Sequence, residues 1–167
     1  PRNDEADRHI THILYVRGRE MRLHQELVLG VGGVRALRAL GVNPAVWHLN
    51  EGHSAFLLVE RAREMVATGT PLADAWPDIR RSSAFTIHTP VSAGNERFDA
   101  DLVRRVAGPL FAGAGGPGSA GVPVEEVLAL GRGPEGNLDQ FDMTAFSLRL
   151  ANGANAVSKL HAETAND

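Results

Sequence analysis

Two polar segments contain most of the side chains that could bind or transform a ligand. His48 lies near the end of one short apolar run, Asn50, Glu51 and His53 follow that run, and His88 begins a second segment that extends to residue 98. Imidazole, amide and carboxylate groups form hydrogen bonds with hydroxyls, and a neutral imidazole can do so as well as a charged one. These residue types predict a site for a polar ligand with several hydroxyls. Histidines satisfied at the edge of a sheet are an equally good interpretation of His48 and His88.

Three other kinds of site fit the sequence less well. A zinc site would use His48, Glu51 and His53, but their spacing differs from that of two histidines four residues apart on one helix face. Ser54 follows His53 without the Gly-x-Ser-x-Gly turn of a serine hydrolase. The glycines at residues 30–33 lie within a helical pattern, which favours close helix packing over a phosphate-binding loop. We therefore expect no metal site in this chain.

The composition limits the chemistry further. The 167 residues contain no cysteine, which excludes a thiolate metal site and a cysteine nucleophile and favours a reducing, cytoplasmic location. A net charge of -3 disfavours nucleic acid and anionic membranes as partners, and no apolar run is long enough for a membrane span. Lys159 is the single lysine, so a Schiff base to a carbonyl compound would require this residue.

Short apolar runs that alternate with helical patterns predict an α/β fold with a parallel sheet. The runs at residues 45–49, 83–88 and 155–158 predict three strands. Helical patterns cover residues 19–40, 54–67, 98–106, 123–130 and 141–151, and a last helix is expected near His161. Both polar segments follow strands, and ligands of parallel sheets bind beyond the carboxyl ends of the strands. If the first two strands are neighbours, the two segments share one rim.

Glycine and proline predict where the elements are interrupted. Thr70 and Pro71 indicate the N-cap and the first position of another helix, which Trp76 and Pro77 are expected to break or reset. Residues 108–122 contain six glycines and almost no polar side chains, which predicts a flexible surface loop. Residues 131–137 are rich in turn formers. The start at Pro1 rather than Met favours a piece of a longer chain.

Two longer motifs resemble the paired signatures of the bacterial α-glucan phosphorylases, the family of glycogen and maltodextrin phosphorylases. They are residues 48–56 (HLNEGHSAF) and residues 85–98 (FTIHTPVSAGNERF). Supporting motifs are residues 19–26 (REMRLHQE), 141–144 (FDMT) and 157–161 (VSKLH). Their order and spacing are similar to those of the family along nearly the whole chain.

The resemblance implies that residues 1–167 are a partial N-terminal domain of a GT-B type glycosyltransferase, a fold with two Rossmann-like halves around the active site. The family cleaves the terminal α-1,4-glucosidic bond of glycogen or maltodextrin with inorganic phosphate and releases glucose 1-phosphate with retention. Its pyridoxal 5'-phosphate acts through the phosphate group. The attachment lysine belongs to the C-terminal domain, which this chain lacks, and Lys159 lies in the wrong motif. The chain alone is therefore expected to be inactive.

The same resemblance implies roles for individual residues. His88 is the expected catalytic residue, which would contact the transferred glucosyl unit and place its carbonyl near the developing positive charge. Glu51 and His53 would line the acceptor subsite, with Asn50 and Glu96 in support. The residues at positions 93 and 94 are Ala and Gly where animal-type enzymes carry Glu-Ala, so this chain is more similar to a divergent bacterial branch.

Two alternatives keep the same sugar-facing segments. One is a non-catalytic carbohydrate-binding or regulatory module, and the other is a nucleotide-sugar glycosyltransferase of the same architecture. The expected partners of a phosphorylase would be an α-1,4-glucan, inorganic phosphate and the missing C-terminal half. The sequence leaves the oligomeric state, the glucan length preference and allosteric control open.

Overall fold

A parallel three-stranded sheet lies at the centre of the chain. The computed structural model describes residues 3–13, 18–88, 95–112 and 121–157. The strands are β1 (Trp47–Asn50), β2 (Ser83–Ile87), β3 (Arg97–Asp99), β4 (Gln140–Asp142) and β5 (Gly153–Ala156). The helices are α1 (Glu5–Arg8), α2 (Arg19–Leu27), α3 (Gly33–Ala39), α4 (Phe56–Ala67), α5 (Leu72–Arg81), α6 (Ala100–Val106), α7 (Gly108–Phe111), α8 (Val124–Leu130) and α9 (Met143–Arg149).

The order of strands brings the ends of β1 and β2, from which the two polar segments start, to one rim, and residues 89–94 of the second segment lie outside the described residues. β2 lies between β1 and β5, and both pairings are parallel. Asn50 of β1 is opposite Thr86 of β2, which is opposite Asn155 of β5. The chain crosses from β1 to β2 through α4 and α5, as parallel neighbours require. The predicted α/β parallel sheet is therefore confirmed, and so is the shared rim of the first two strands.

The core packs against one face of this sheet. Trp47 and Leu49 of β1 are buried, whereas the alternate residues His48 and Asn50 are exposed. Below the sheet, the Phe56 and Phe141 rings stack with their centroids 5.7 Å apart. Buried aromatic side chains contribute large apolar areas to a core. Phe56 begins α4 directly after the polar turn at the end of β1, so the core supports the segment that carries the site residues.

The predicted helix at residues 19–40 is continuous but contains a wider turn. α2 passes into a π-helical turn, Val28–Gly32, and then into α3. A Cβ on Gly30 would lie 2.8 Å from the backbone nitrogen of Leu57 in α4. Gly30 therefore permits close packing of the two helices, as predicted for the glycines at residues 30–33, whereas a Cβ on Gly32 or Gly33 would meet no atom within 4 Å. None of the helices in the described ranges has the length and apolar character of a membrane span.

The predicted break at Trp76 and Pro77 is wrong. Pro77 lies inside α5, which continues to Arg81, and the helix is preceded by Pro71 without a side-chain cap from Thr70. A proline inside a helix removes one hydrogen bond to the carbonyl four residues earlier. Both Pro77 and Ala73 are exposed, so that carbonyl lies on the water-facing side of α5. Burial of Trp76 and Ile79 on the opposite side keeps the helix in place.

A two-stranded antiparallel sheet replaces the predicted starts of two helices. β3 pairs with β4, and Phe98 is opposite Phe141, although both residues were expected in helices at 98–106 and 141–151. The helices begin two residues later than predicted, because Asp99 and Asp142 cap them. Asp99 accepts from the amide of Asp101 at 2.8 Å, and Asp142 accepts from the amide of Ala145 at 2.8 Å. The pairing depends on residues more than forty positions apart, so local periodicity did not predict it.

The predicted loop at residues 108–122 is wrong at both ends. Residues Gly108–Phe111 form α7, and Phe111 is buried. Val122 is also buried, and its amide donates to the Phe111 carbonyl at 2.9 Å. Burial of Phe111 and Val122 fixes both ends of this segment in the core. The prediction of a loop rested on the high glycine content and did not take these two apolar side chains into account. Residues 113–120 lie outside the described residues.

The chain after α9 differs in register from the prediction. β5 covers Gly153–Ala156 rather than residues 155–158, because it pairs with Ala84 to Ile87 of β2. Pairing with β2 therefore places Gly153 and Ala154 in a strand, although both residue types have low strand propensity. The helix expected near His161 lies outside the described residues.

Candidate functional site

The ends of β1 and β2 bring Asn50 and His88 together. Asn50 is the last residue of β1, and His88 follows the last residue of β2. Asn50 Oδ1 contacts His88 Nε2, and since this oxygen only accepts, the histidine nitrogen donates. Both side chains are exposed at the rim. An imidazole held in this way presents its other nitrogen, Nδ1, as an acceptor for a ligand hydroxyl.

Glu51 connects the two strand ends through its backbone and its side chain. Its amide donates to the carbonyl of Thr86 at 2.9 Å, and its carboxylate Oε1 accepts from the amide of His88. The residue is buried and has a φ of 67°, a conformation that costs free energy for a residue other than glycine. The carboxylate therefore fixes the backbone of His88, a contact the sequence did not predict.

His53 lies in the turn that follows Glu51 and contacts α2. The 3-10 turn Gly52–Ser54 packs closely on α9, since a Cβ on Gly52 would lie 2.9 Å from Cβ of Met143. His53 Nδ1 lies 2.9 Å from Nη2 of Arg22 and 3.8 Å from Oε1 of Glu26. The His53 side chain is 38% exposed. The turn therefore holds the ring between α2 and solvent.

Glu96, which directly precedes β3, contacts the same part of α2 as His53 does. Arg22 Nε donates to Oε2 of Glu96 at 3.2 Å, and Arg19 also pairs with this carboxylate. The Glu96 carbonyl accepts from the amide of Met143 at 3.0 Å. His53 and Glu96 are thus joined through Arg22.

A buried carboxylate lies behind Arg22. Glu26 is 1% exposed, and its Oε1 lies 3.0 Å from Nη2 of Arg22, one helical turn earlier in α2. Burial raises the pKa of Glu26 above its ordinary value, and the nearby His53 and Arg22 oppose this rise. Arg22, Glu26, His53 and Glu96 therefore form one partly buried charged cluster, which we call the Arg22 cluster.

Comparison with known proteins gives relatives along the whole chain. No protein-family model matches the chain. It is 42% identical over 168 residues to the maltodextrin phosphorylase of Thermococcus litoralis, covering 100% of this chain and 19% of that protein. It is 40% identical over 167 residues to a glycogen phosphorylase of Mycobacterium tuberculosis. A glycogen phosphorylase of Aquifex aeolicus is 33% identical over 164 residues. The chain is a homologue of the glycogen and maltodextrin phosphorylases.

This phosphorylase homologue spans a small part of its relatives. It covers 19% of the Thermococcus and Mycobacterium proteins and 23% of the Aquifex protein. It aligns with them over 96% or more of its own length. The matched region therefore includes every residue assigned above to the two strand ends and to the Arg22 cluster.

The five predicted site residues of the phosphorylase homologue lie in two groups. Asn50, Glu51 and His88 contact one another at the strand ends, whereas His53 and Glu96 belong to the Arg22 cluster. His48 belongs to neither group, since its Nε2 contacts Thr86 Oγ1 at 2.7 Å on the open face of the sheet. For His48, the interpretation as a satisfied sheet histidine fits this contact. Within the described residues, no group of three acidic or histidine side chains could hold a metal ion.

Sequence reasoning did not identify Arg22 and Glu26 as site residues. Their partners are distant in sequence, with Arg22 and Glu96 separated by 74 positions. The sequence contained one local indication. Arg22 and Glu26 each directly precede a leucine of the apolar face of α2, Leu23 and Leu27, so two charged side chains lie beside that face. Charged side chains are rarely buried unless they are paired, so this position indicates a partner across the fold.

Proposed function

We propose that this chain is part of the N-terminal half of a GT-B type α-glucan phosphorylase, which cleaves the terminal α-1,4-glucosidic bond of glycogen or maltodextrin with inorganic phosphate. The observation that carries this proposal is 42% identity with a maltodextrin phosphorylase over the whole chain. The polar rim supports it, because several amide, imidazole and carboxylate groups suit a ligand with many hydroxyls. The chain would supply side chains that contact the sugar.

In the proposed reaction, the bond between the anomeric carbon and the bridging oxygen breaks. An oxygen of hydrogen phosphate bonds to the anomeric carbon, and the bridging oxygen takes the proton that this phosphate loses and leaves as a hydroxyl of the shortened glucan. His88 would contact the glucosyl unit during this transfer. Its ring is held by Asn50 and its amide by Glu51, so both contacts would orient it before the sugar binds. Fixed dipoles of this kind stabilise developing charge without forming covalent bonds.

Glu51 and His53 are proposed to line the neighbouring subsite for the remaining glucan, and Glu96 to support it. The two residues flank Gly52, which packs on Met143, so any movement of α9 would displace both. Glu96 would act through Arg22, since its carboxylate contacts Arg22. The acceptor side of the site would therefore depend on the packing of α2 and α9.

Pyridoxal 5'-phosphate is proposed to bind to parts of the protein beyond this chain. The cofactor is held by a lysine amine. The single lysine, Lys159, lies outside the described residues, so the residues of the described part do not fit the cofactor.

The activity of the full-length protein that contains this chain tests the proposal. We expect purified protein loaded with pyridoxal 5'-phosphate to form glucose 1-phosphate from maltodextrin and inorganic phosphate. Glucan binding without product would favour the carbohydrate-binding module. Glucan extension from a nucleotide sugar, with no product from phosphate, would favour the nucleotide-sugar glycosyltransferase. Either result would overturn the proposed function.

A further inference from the structure

Arg22 lies at the centre of the charged cluster beneath the turn that carries His53. Its side chain is 9% exposed, and it pairs with Glu26 at 3.0 Å and Glu96 at 3.2 Å. Its Nη2 also lies 2.9 Å from His53 Nδ1. The guanidinium is therefore held by carboxylates from α2 and from the segment before β3 while it contacts the imidazole.

The chemistry of this contact defines where the proton of His53 lies. A guanidinium has only donors, so the ring nitrogen that faces it at 2.9 Å must accept. An imidazole that accepts at Nδ1 and is neutral carries its proton on Nε2. Glu26 could accept a proton from Nδ1, but its Oε1 is 3.8 Å away, beyond hydrogen-bond distance. Arg22 is thus the partner of Nδ1 in this arrangement.

The buried glutamate explains why Arg22 keeps this orientation. A fully buried carboxylate is costly unless a cation compensates it, and Arg22 is the cation next to Glu26. Turning Arg22 away from His53 would also weaken its pairs with Glu26 and Glu96. The two carboxylates therefore restrict the guanidinium to the position in which it donates to Nδ1.

We propose that Arg22 and Glu26 are positioning residues that hold His53 as the neutral tautomer protonated on Nε2. Its use in catalysis rests on the proposed function, in which His53 lines the glucan subsite. In this tautomer the ring donates from Nε2, so it would recognise the oxygen of a sugar hydroxyl. A ring protonated on Nδ1 would offer an acceptor at Nε2 instead and would reverse the polarity of that contact.

Neutron diffraction from deuterated crystals of the full-length protein tests the tautomer directly. We expect deuterium on Nε2 of His53 and on Nη2 of Arg22, with none on Nδ1. Deuterium on Nδ1, alone or together with Nε2, would overturn the proposal. This measurement does not depend on catalysis. If the protein proved to lack phosphorolytic activity, the proposed function would fail while the tautomer could still be established.

Steady-state kinetics of the full-length enzyme test the positioning role. We expect Arg22→Met to raise the KM for glucan about tenfold, because one hydrogen bond to the sugar is lost. The KM for phosphate and kcat per folded enzyme should change less than about twofold. Glu26→Gln, which keeps an acceptor for Arg22, should retain most of the affinity for glucan. Arg105→Met is the matched control, since it removes the exposed ion pair between Arg105 of α6 and Glu20 of α2, the helix that also carries Arg22.

Two kinetic results would contradict the positioning role. One is an unchanged KM for glucan in Arg22→Met, and the other is an equal rise in the KM values for glucan and phosphate, which would indicate general damage to the fold. If Arg22→Met does not fold, the deuterium positions in the unaltered protein still decide the proposal.

Discussion

At the scale of the residue, two buried glutamates show how the arrangement of partners controls charge. Burial alone would raise the pKa of Glu60, but hydrogen bonds from Arg63 and Arg35 outweigh it and hold the pKa below its ordinary value. For Glu26, burial dominates and the pKa is raised. Glu60 receives hydrogen bonds from two arginines at 2.7–3.2 Å, whereas Glu26 shares Arg22 with Glu96. A carboxylate that receives hydrogen bonds from two arginines has a lowered pKa despite burial, whereas burial dominates for one that shares a single arginine.

The lowered pKa of Glu60 predicts how its contribution to stability depends on pH. Because the folded pKa is below the ordinary value of 4.5, this contribution is present above that pH and is lost as the pH falls through the folded pKa. We expect Glu60→Gln to reduce the free energy of unfolding by about 1 kcal/mol near neutral pH, since its partner Arg35 is half exposed.

Urea unfolding of the full-length protein, with and without Glu60→Gln, checks this prediction near neutral pH and in acid. The difference in the free energy of unfolding between the two proteins should shrink as the pH falls below 4.5. A difference that is constant or grows in acid would contradict the assigned ion pairs. Glu125→Gln is the control, because Glu125 pairs with Arg104 on the surface and should matter less.

The grouping of Asn50, Glu51 and His88 at one rim could be predicted from sequence. Each lies at or just after the end of a predicted strand, and the end of a parallel strand is a local property. The contact of the Glu51 carboxylate with the His88 amide could not be predicted, since it requires the register of the two strands. The same is true of Arg22, whose contact with His53 joins residues 31 positions apart.

At the scale of the element, the contact between α4 and the helix of residues 19–39 depends on a glycine. A Cβ on Gly30 would lie 2.8 Å from Leu57 N and 3.0 Å from Phe56 Cβ, so Gly30→Ala must separate the helices. We expect this change to reduce the free energy of unfolding by about 1–3 kcal/mol. Phe56 and Leu57 follow the turn that carries His53, so glucan binding should weaken as well.

Gly33→Ala is the matched control for this prediction. Gly33 begins α3, and a Cβ at this position would meet no atom within 4 Å. Replacing a glycine in a helix without steric conflict should stabilise the protein by about 0.5–1 kcal/mol. Thermal unfolding of both variants measures the effects. Equal shifts in the same direction would show that helix propensity, and not close packing, governs this segment.

Among the elements, sequence patterns predicted the central helices and strands better than their ends. The runs in β1 and β2 were found because buried parallel strands are short and apolar. Phe98 and Phe141 were assigned to helices because the antiparallel pair that contains them is non-local. Trp76 and Pro77 were expected to break or reset α5, but tertiary burial of Trp76 outweighs the loss of one hydrogen bond at Pro77.

At the scale of the whole molecule, the proposed function makes this chain one part of a larger protein. It spans about 19% of the length of the curated relatives that it matches at 40–42% identity. The described residues place an imidazole, an amide and one carboxylate at the rim of a parallel sheet. The proposed reaction also needs groups that bind inorganic phosphate and pyridoxal 5'-phosphate, and these are assigned to the rest of the protein.

The most direct test of this account is the turnover of the full-length protein with His88→Ala. We predict that glucose 1-phosphate formation falls at least about a hundredfold, because the contact with the transferred sugar is lost, while the bound pyridoxal 5'-phosphate stays at the level of the unaltered protein. His12→Ala, at an exposed histidine of the N-terminal segment, should leave turnover unchanged. Unchanged turnover in His88→Ala at full cofactor content would contradict the account.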